Sequence, residues 1–208
     1  MTDVTFYFDL GSPYAYLASE RLATIIDQPV VWQPVLLGGL FKLTGRSSWA
    51  LGDYARRQAG MAEIERRARG YGLPPFRWPD PWPSDYLAAM RAATYAFSAG
   101  RGREFTHEAF RAAFQRGHEL SVVAHVRGVA EPAGLQAGAV DRAIADPEVK
   151  AMLRAATDAA FQRGVFGVPT LAVGDELFWG DDRLEDAAAH LGSWRLQHDV
   201  GDERAGMI

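Results

Sequence analysis

Ser12 is the residue whose type and setting best suit chemistry. It follows an aromatic, β-branched run, Val4 to Leu10, and precedes Pro13 and a helical pattern. A small polar residue before proline starts a helix well, with Ser12 as the N-cap and Pro13 as the first helical position. Such a helix end carries about half a positive charge and points backbone N–H groups outward, so it stabilises an anion. A hydroxyl at that open end can donate to a thiolate and so lower the pKa of a bound thiol. The same spacing also fits a serine that only caps its helix.

Two further places combine chemistry with punctuation. Val168-Pro169 puts a proline at the start of a strand, where it cannot donate to the ladder. Its peptide bond is either cis, which is rare, or trans at a sheet edge. In Trp179-Gly180-Asp181-Asp182-Arg183, a glycine before two carboxylates can form an exposed polar pocket that accepts hydrogen bonds from an amine. An ordinary acidic helix cap has the same composition.

Other residue groups are weaker signals. The five histidines are scattered and show no metal-ligand spacing. Arg56, Arg57, Arg66, Arg67 and Arg69 share a segment with Glu63 and Glu65. They read as a solvated face from which one arginine can meet a substrate carboxylate. Phe76 to Trp82 alternates aromatics with prolines. Its tryptophans, Trp82 among them, either stand exposed and wall an apolar pocket or pack under the loop.

The composition narrows the function classes. The 208 residues contain no cysteine, which excludes disulfides, thiolate metal sites and a cysteine nucleophile. Thiol chemistry therefore has to come from a bound small molecule. A net charge of −4 gives no electrostatic reason to bind nucleic acid or an anionic membrane. The apolar runs are too short and too charged to span a bilayer. The N-terminus enters a strand pattern without a leader-like stretch. The expectation is a soluble, cytoplasmic protein.

The elements that must position these residues follow from pattern. Val4–Leu10 reads as a strand, Pro13 to about Ile26 as a helix, and Val30–Pro34 as a second strand, making a βαβ unit. Residues 36–45 read as a loop or short helix. Helices are expected over Tyr54–Tyr71, Tyr86–Ala99, Glu104–Arg116, about Ser121–Ala130, Ala137–Ala145 and Pro147–Arg163. The five prolines between Leu73 and Ser84 demand an extended connector. Val168–Val173 and Glu176–Trp179 flank a Gly174-Asp175 turn, as in a hairpin. A closing helix is expected over Asp181–Leu191, with a frayed tail from Gly192. Without its helical middle, the order is that of a thioredoxin-like α/β fold. The expected division is a thioredoxin-like unit from 1–40 and 164–208, with a helical insertion at 41–163.

Taken together, FYFDLGSPYAYLA at 6–18, FGVPT at 166–170 and WGDDRL at 179–184 resemble the 2-hydroxychromene-2-carboxylate isomerase family. That family is related to kappa-class glutathione transferases and to DsbA-like thioredoxin folds. The resemblance implies glutathione, or another low-molecular-weight thiol, as cofactor, a homodimer, and a small aromatic or electrophilic substrate. It places the sulfur at Ser12, with Pro13 and Tyr14 beside it. It places the tripeptide backbone on Val168, a cis bond before Pro169, and the γ-glutamyl end at Trp179, Gly180, Asp181 and Asp182. Lys42, Arg46 and Trp82 fall on the substrate side. The implied reaction is reversible thiolate addition to a cyclic hemiketal carboxylate, with ring opening, rotation and elimination.

The chain departs from the family where Asp181 replaces an asparagine or serine. It departs again where Arg46 follows Phe41-Lys42-Leu43-Thr44-Gly45 in place of an asparagine. A basic residue of the next helix has Arg56 or Arg57 as its counterpart. A transferase would stop after addition. A DsbA-type dithiol oxidoreductase is excluded because Ser12-Pro13-Tyr14-Ala15 holds no sulfur. A non-catalytic module would bind no thiol.

Overall fold

The computed structural model describes residues 3–205. The elements are β1 (Val4–Phe8), α1 (Pro13–Ile25), β2 (Val30–Pro34), α2 (Leu37–Thr44), α3 (Tyr54–Gly70), α4 (Leu87–Ser98), α5 (Gly102–Phe114), α6 (Val123–Ala130), α7 (Ala137–Ala145), α8 (Pro147–Gln162), β3 (Thr170–Val173), β4 (Glu176–Trp179) and α9 (Leu184–Ala205). Short 3-10 turns at Trp49–Leu51 and Asp181–Arg183 precede α3 and α9.

The four strands lie in the order β2-β1-β3-β4. β1 runs parallel to β2, through α1, and antiparallel to β3. Phe6 therefore sits between Trp32 and Leu171. Side chains alternate between the faces of a strand, and here both faces are largely covered, which is why β1 reads as a run of β-branched and aromatic residues rather than as an alternation. Phe6 and Phe8 face α5, with the Phe8 and Phe110 rings 6.0 Å apart. Tyr7 points the other way, into a second cluster with Val35, Leu40, Val165 and Val168. Phe6, Phe8, Phe105, Phe110 and Phe114 are fully buried, each contributing about 1.5–3 kcal/mol. Sheet and helical block thus share one apolar cluster.

The prolines act as their positions demand. Pro13 and Pro147 each occupy a first helical turn behind a side-chain cap, Ser12 and Asp146. The connector after α3 has no regular structure and is tied to α5 by Arg77 N–H donating to Phe114 C=O at 2.8 Å. The last helix corrects the sequence reading. It passes Gly192 and continues to Ala205 in place of a frayed tail. A glycine inside a helix costs only about 1 kcal/mol, which the packing of α9 on α1 and β3 outweighs. Residues 206–208 lie outside the described residues.

Candidate functional site

The end of β1 and the start of α1 form a tight turn. Ser12 N–H donates to Asp9 C=O at 3.0 Å, and Ser12 Oγ caps α1 by accepting from Ala15 N–H at 3.2 Å. The first-turn donors can be followed one by one. Pro13 has none, Ala15 and Tyr16 N–H both bond Ser12, and Tyr14 N–H has no partner among the described residues. Gly11 is required by close approach, because a Cβ there would lie 2.6 Å from the Tyr86 ring. Trp82 Nε1 donates to Gly11 C=O at 3.3 Å from the same side.

Val168 faces this turn from the far end of the chain. The Val168-Pro169 peptide is cis. Ser12 Oγ lies 3.4 Å from Val168 C=O, a long contact for a hydroxyl donor. Pro169 C=O accepts from Gly180 N–H at 3.0 Å, which joins this loop to the Trp179 segment. Among the described residues Val168 N–H has no partner. The first turn of α1 and the Val168 loop, which meet where Ser12 Oγ reaches Val168 C=O, thus each keep one N–H without a partner among the described residues.

The sequence reading set Ser12 at an open helix mouth, and the structure corrects this. Ser12 is only 4% exposed. Val168 closes over its hydroxyl, while Trp82 and Tyr86 pack on the neighbouring Gly11. Its hydroxyl both caps α1 and reaches Val168, so capping and proximity to residue 168 hold together.

Asp181 is corrected more strongly. The expected exposed pocket is absent at Asp181, which is 1% exposed. Its carboxylate accepts from Arg67 Nη1 at 2.8 Å and from Tyr71 O–H at 2.9 Å, and its C=O accepts from Arg21 Nη1 at 2.9 Å. Gly180 permits the turn with a φ of 123°. Burial raises the Asp181 pKa against the opposing pull of Arg67. Burial, with the Asp181 charge beside it, pushes Tyr71 up to about 12. Asp182 is the solvent-facing carboxylate, 54% exposed and 3.2 Å from Arg67. Arg67, which reads in the sequence as part of a solvated arginine face, and Tyr71 stand more than 100 positions from Asp181, so nothing local pairs them with it.

Trp82 takes one of the two arrangements that its sequence allows. It is 4% exposed and packs at a tilt against Trp78 and Trp49, with ring centroids 4.5 and 5.4 Å away. The reading in which it packs under its loop is the one realised. Two α3 arginines face this aromatic group. Arg67 lies 5.6 Å from the Tyr14 ring and is neutralised by Glu63, Asp181 and Asp182. Arg57 lies 5.9 Å from the Trp82 ring, its Nε is buried without a partner, and no carboxylate pairs with it among the described residues.

On the other wall, Lys42 is exposed near the end of α2. The Arg46 guanidinium stacks on Phe166, 4.2 Å from the ring centre. Phe166 in turn meets the half-exposed Trp179 at 4.9 Å. A cleft of about 250 Å³ lies beside them, lined by Phe166, Thr170, Trp179 and Arg183. Among the described residues no three side chains gather as metal ligands, and no helix is long and apolar enough to cross a membrane.

Known proteins are similar to this chain in sequence and fold. The model of the DSBA-like thioredoxin domain matches residues 3–192. A 2-hydroxychromene-2-carboxylate isomerase from Sphingobium xenophagum is 30% identical, over 90% of this chain and 97% of its own. Human glutathione S-transferase kappa 1 is 27% identical, over 91% of this chain and 90% of its own. A solved 2-hydroxychromene-2-carboxylate isomerase superposes with a TM-score of 0.82 at 26% identity, covering 95% of this chain and 98% of its own. The chain belongs to the DSBA-like thioredoxin domain family and, within it, to the 2-hydroxychromene-2-carboxylate isomerase family related to kappa-class glutathione transferases.

Proposed function

We propose that this protein is a glutathione-dependent isomerase of aromatic carboxylates resembling 2-hydroxychromene-2-carboxylate. The observation that carries the reading is the convergence of Ser12 Oγ, Tyr14 N–H and the Val168 backbone at the positive end of α1. These groups suit a thiol on a peptide-like ligand. The helix end and Tyr14 N–H favour a negative sulfur. Val168 offers an open backbone edge to an amide. Bound glutathione would supply a sulfur nucleophile that can add to a conjugated carbon and leave again.

The chain's own residues do the rest. The Ser12 hydroxyl gives up only a 3.4 Å contact to Val168 C=O when its proton turns toward the ligand. Asp182, half-exposed beside Arg67, is the carboxylate open to an ammonium from solvent, while Asp181 holds Arg67 and Tyr71 in place. Arg57 meets the substrate's carboxylate against the Trp82 face, with Lys42 and Arg46 on the α2 side. Trp49 and Trp82 keep water from the reacting carbon.

The test is to assay isomerisation of 2-hydroxychromene-2-carboxylate with and without glutathione, and to measure the glutathione remaining. The reading expects turnover that requires the thiol and leaves it unconsumed. Consumption would make the protein a transferase, the reading favoured by its kappa-class relative. Turnover without any thiol would overturn the proposal.

A further inference from the structure

Asp9 is a buried carboxylate, and among the described residues no cation pairs with it. It is 6% exposed and lies in the turn that carries Ser12. Its Oδ1 accepts from Gly11 N–H and its Oδ2 from Leu37 N–H, each at 2.8 Å. Leu37 is the first residue of α2, whose own N-cap, Leu36, has no side-chain acceptor. A side chain 28 residues earlier therefore caps α2. Leu36 N–H is held separately by Thr157 Oγ1 of α8 at 2.9 Å.

The two tethered segments are the two walls of the candidate site. One end of the tether is the Ser12 turn. The other is α2, which bears Lys42 and leads to Arg46 against Phe166, two residues from Val168. We propose that Asp9 is a positioning residue: its carboxylate fixes the Ser12 turn to the start of α2 and so sets the spacing between the thiol side and the α2 side of the cleft. This rests on the thiol-dependent reading for its effect on turnover, while the tether itself stands on geometry alone.

The ionised form serves both donors best. A neutral acid turns one oxygen into a hydroxyl, a much weaker acceptor, so one of the two N–H bonds is weakened. Burial pushes the Asp9 carboxyl up to about 6, against the two N–H bonds and with a smaller push from Asp85. Asp85 is the charged side chain that bears on it from the segment before α4. Tyr86, which packs on Gly11, has its own pKa raised by burial and stays neutral. From α2 the nearest charged residue along the chain is Lys42, and from α8 the facing group is the neutral Thr157 hydroxyl.

The test compares the wild type with Asp9→Asn and Leu37→Pro. Proline suits the first helical position and follows an extended residue here, so Leu37→Pro deletes one donor without changing charge. Amide exchange, glutathione affinity and the pH profile of thiol-dependent turnover are measured. Asp9→Asn is expected to speed exchange at Leu37 or Gly11 N–H roughly tenfold or more, and to lower turnover with glutathione affinity retained. It also flattens the acid limb of the profile. Leu37→Pro moves that limb to higher pH, because a lost donor destabilises the carboxylate.

Unchanged exchange in Asp9→Asn overturns the tether. Faster exchange with unchanged turnover, or an acid limb that both variants leave in place, overturns the positioning role. A wild type that binds no thiol sinks the thiol-dependent reading instead, and the exchange data then judge the tether alone.

Discussion

Asp9 and Asp181 are both buried aspartates at the edge of the same site, and they are held in opposite ways. Asp9 receives two neutral backbone N–H groups. Asp181 receives a guanidinium, a phenol and an ion-pair network that includes Glu63 and Asp182 through Arg67. Burial raises both pKa values, but only Asp9 lacks an adjacent cation to oppose it. The difference separates two jobs. The Asp181 side is charge-compensated and bonded on several sides, which suits a structural hub. The Asp9 side is poised to change protonation state next to Ser12.

The largest effect that tests this contrast is a pH dependence. The Asp9 pKa is raised from 3.8 to about 6, so the folded state binds the extra proton more readily than the unfolded state between those values. Stability therefore falls as pH rises through that window. The stability of the wild type relative to Asp9→Asn, from urea unfolding, is expected to drop by about 2.4 kcal/mol between pH 4 and 7. Turnover climbs over the same range. A flat difference would show that Asp9 is not held as described.

Asp181→Ala is next. It removes an acceptor from Tyr71 and one of three carboxylates from Arg67, which is itself about a quarter exposed. Urea unfolding should show a loss of about 2–3 kcal/mol, below the full cost of breaking a buried pair because Glu63 and Asp182 remain. The loss should be nearly independent of pH around neutrality. A strong pH dependence there would erase the contrast with Asp9.

Much of this fold was legible because its signals are local. Pro13 and Pro147 mark helix starts, Gly174-Asp175 marks the hairpin, and a largely covered β1 shows as a run of β-branched and aromatic residues. The site was legible only in part. Ser12 as a cap and Val168 as its neighbour followed from element order, since β1 and β3 pair. The burial of Ser12 and Asp181 did not, because each is covered by a residue distant in sequence: Val168 and Arg67. Asp9 drew no notice either, since its partners are backbone groups that carry no residue-type signature.

Two smaller effects sharpen the picture. Ser12→Ala should cut thiol-dependent turnover about tenfold or more, the size expected for one lost anion-stabilising donor. It should also cost about 1 kcal/mol of stability through the lost cap. Arg57→Gln should raise KM for an anionic aromatic substrate about fivefold while leaving glutathione affinity alone. Equal KM values for wild type and variant would free Arg57 from substrate binding.

The most direct measurement follows the ionisation of the cofactor itself. Glutathione is titrated onto the wild type and onto Ser12→Ala while the ultraviolet absorbance of the thiolate is followed across pH. The account predicts that bound glutathione ionises at lower pH than free glutathione, and that Ser12→Ala moves the transition back toward the free value. Binding with an unshifted transition, or a shift that survives Ser12→Ala intact, would contradict it.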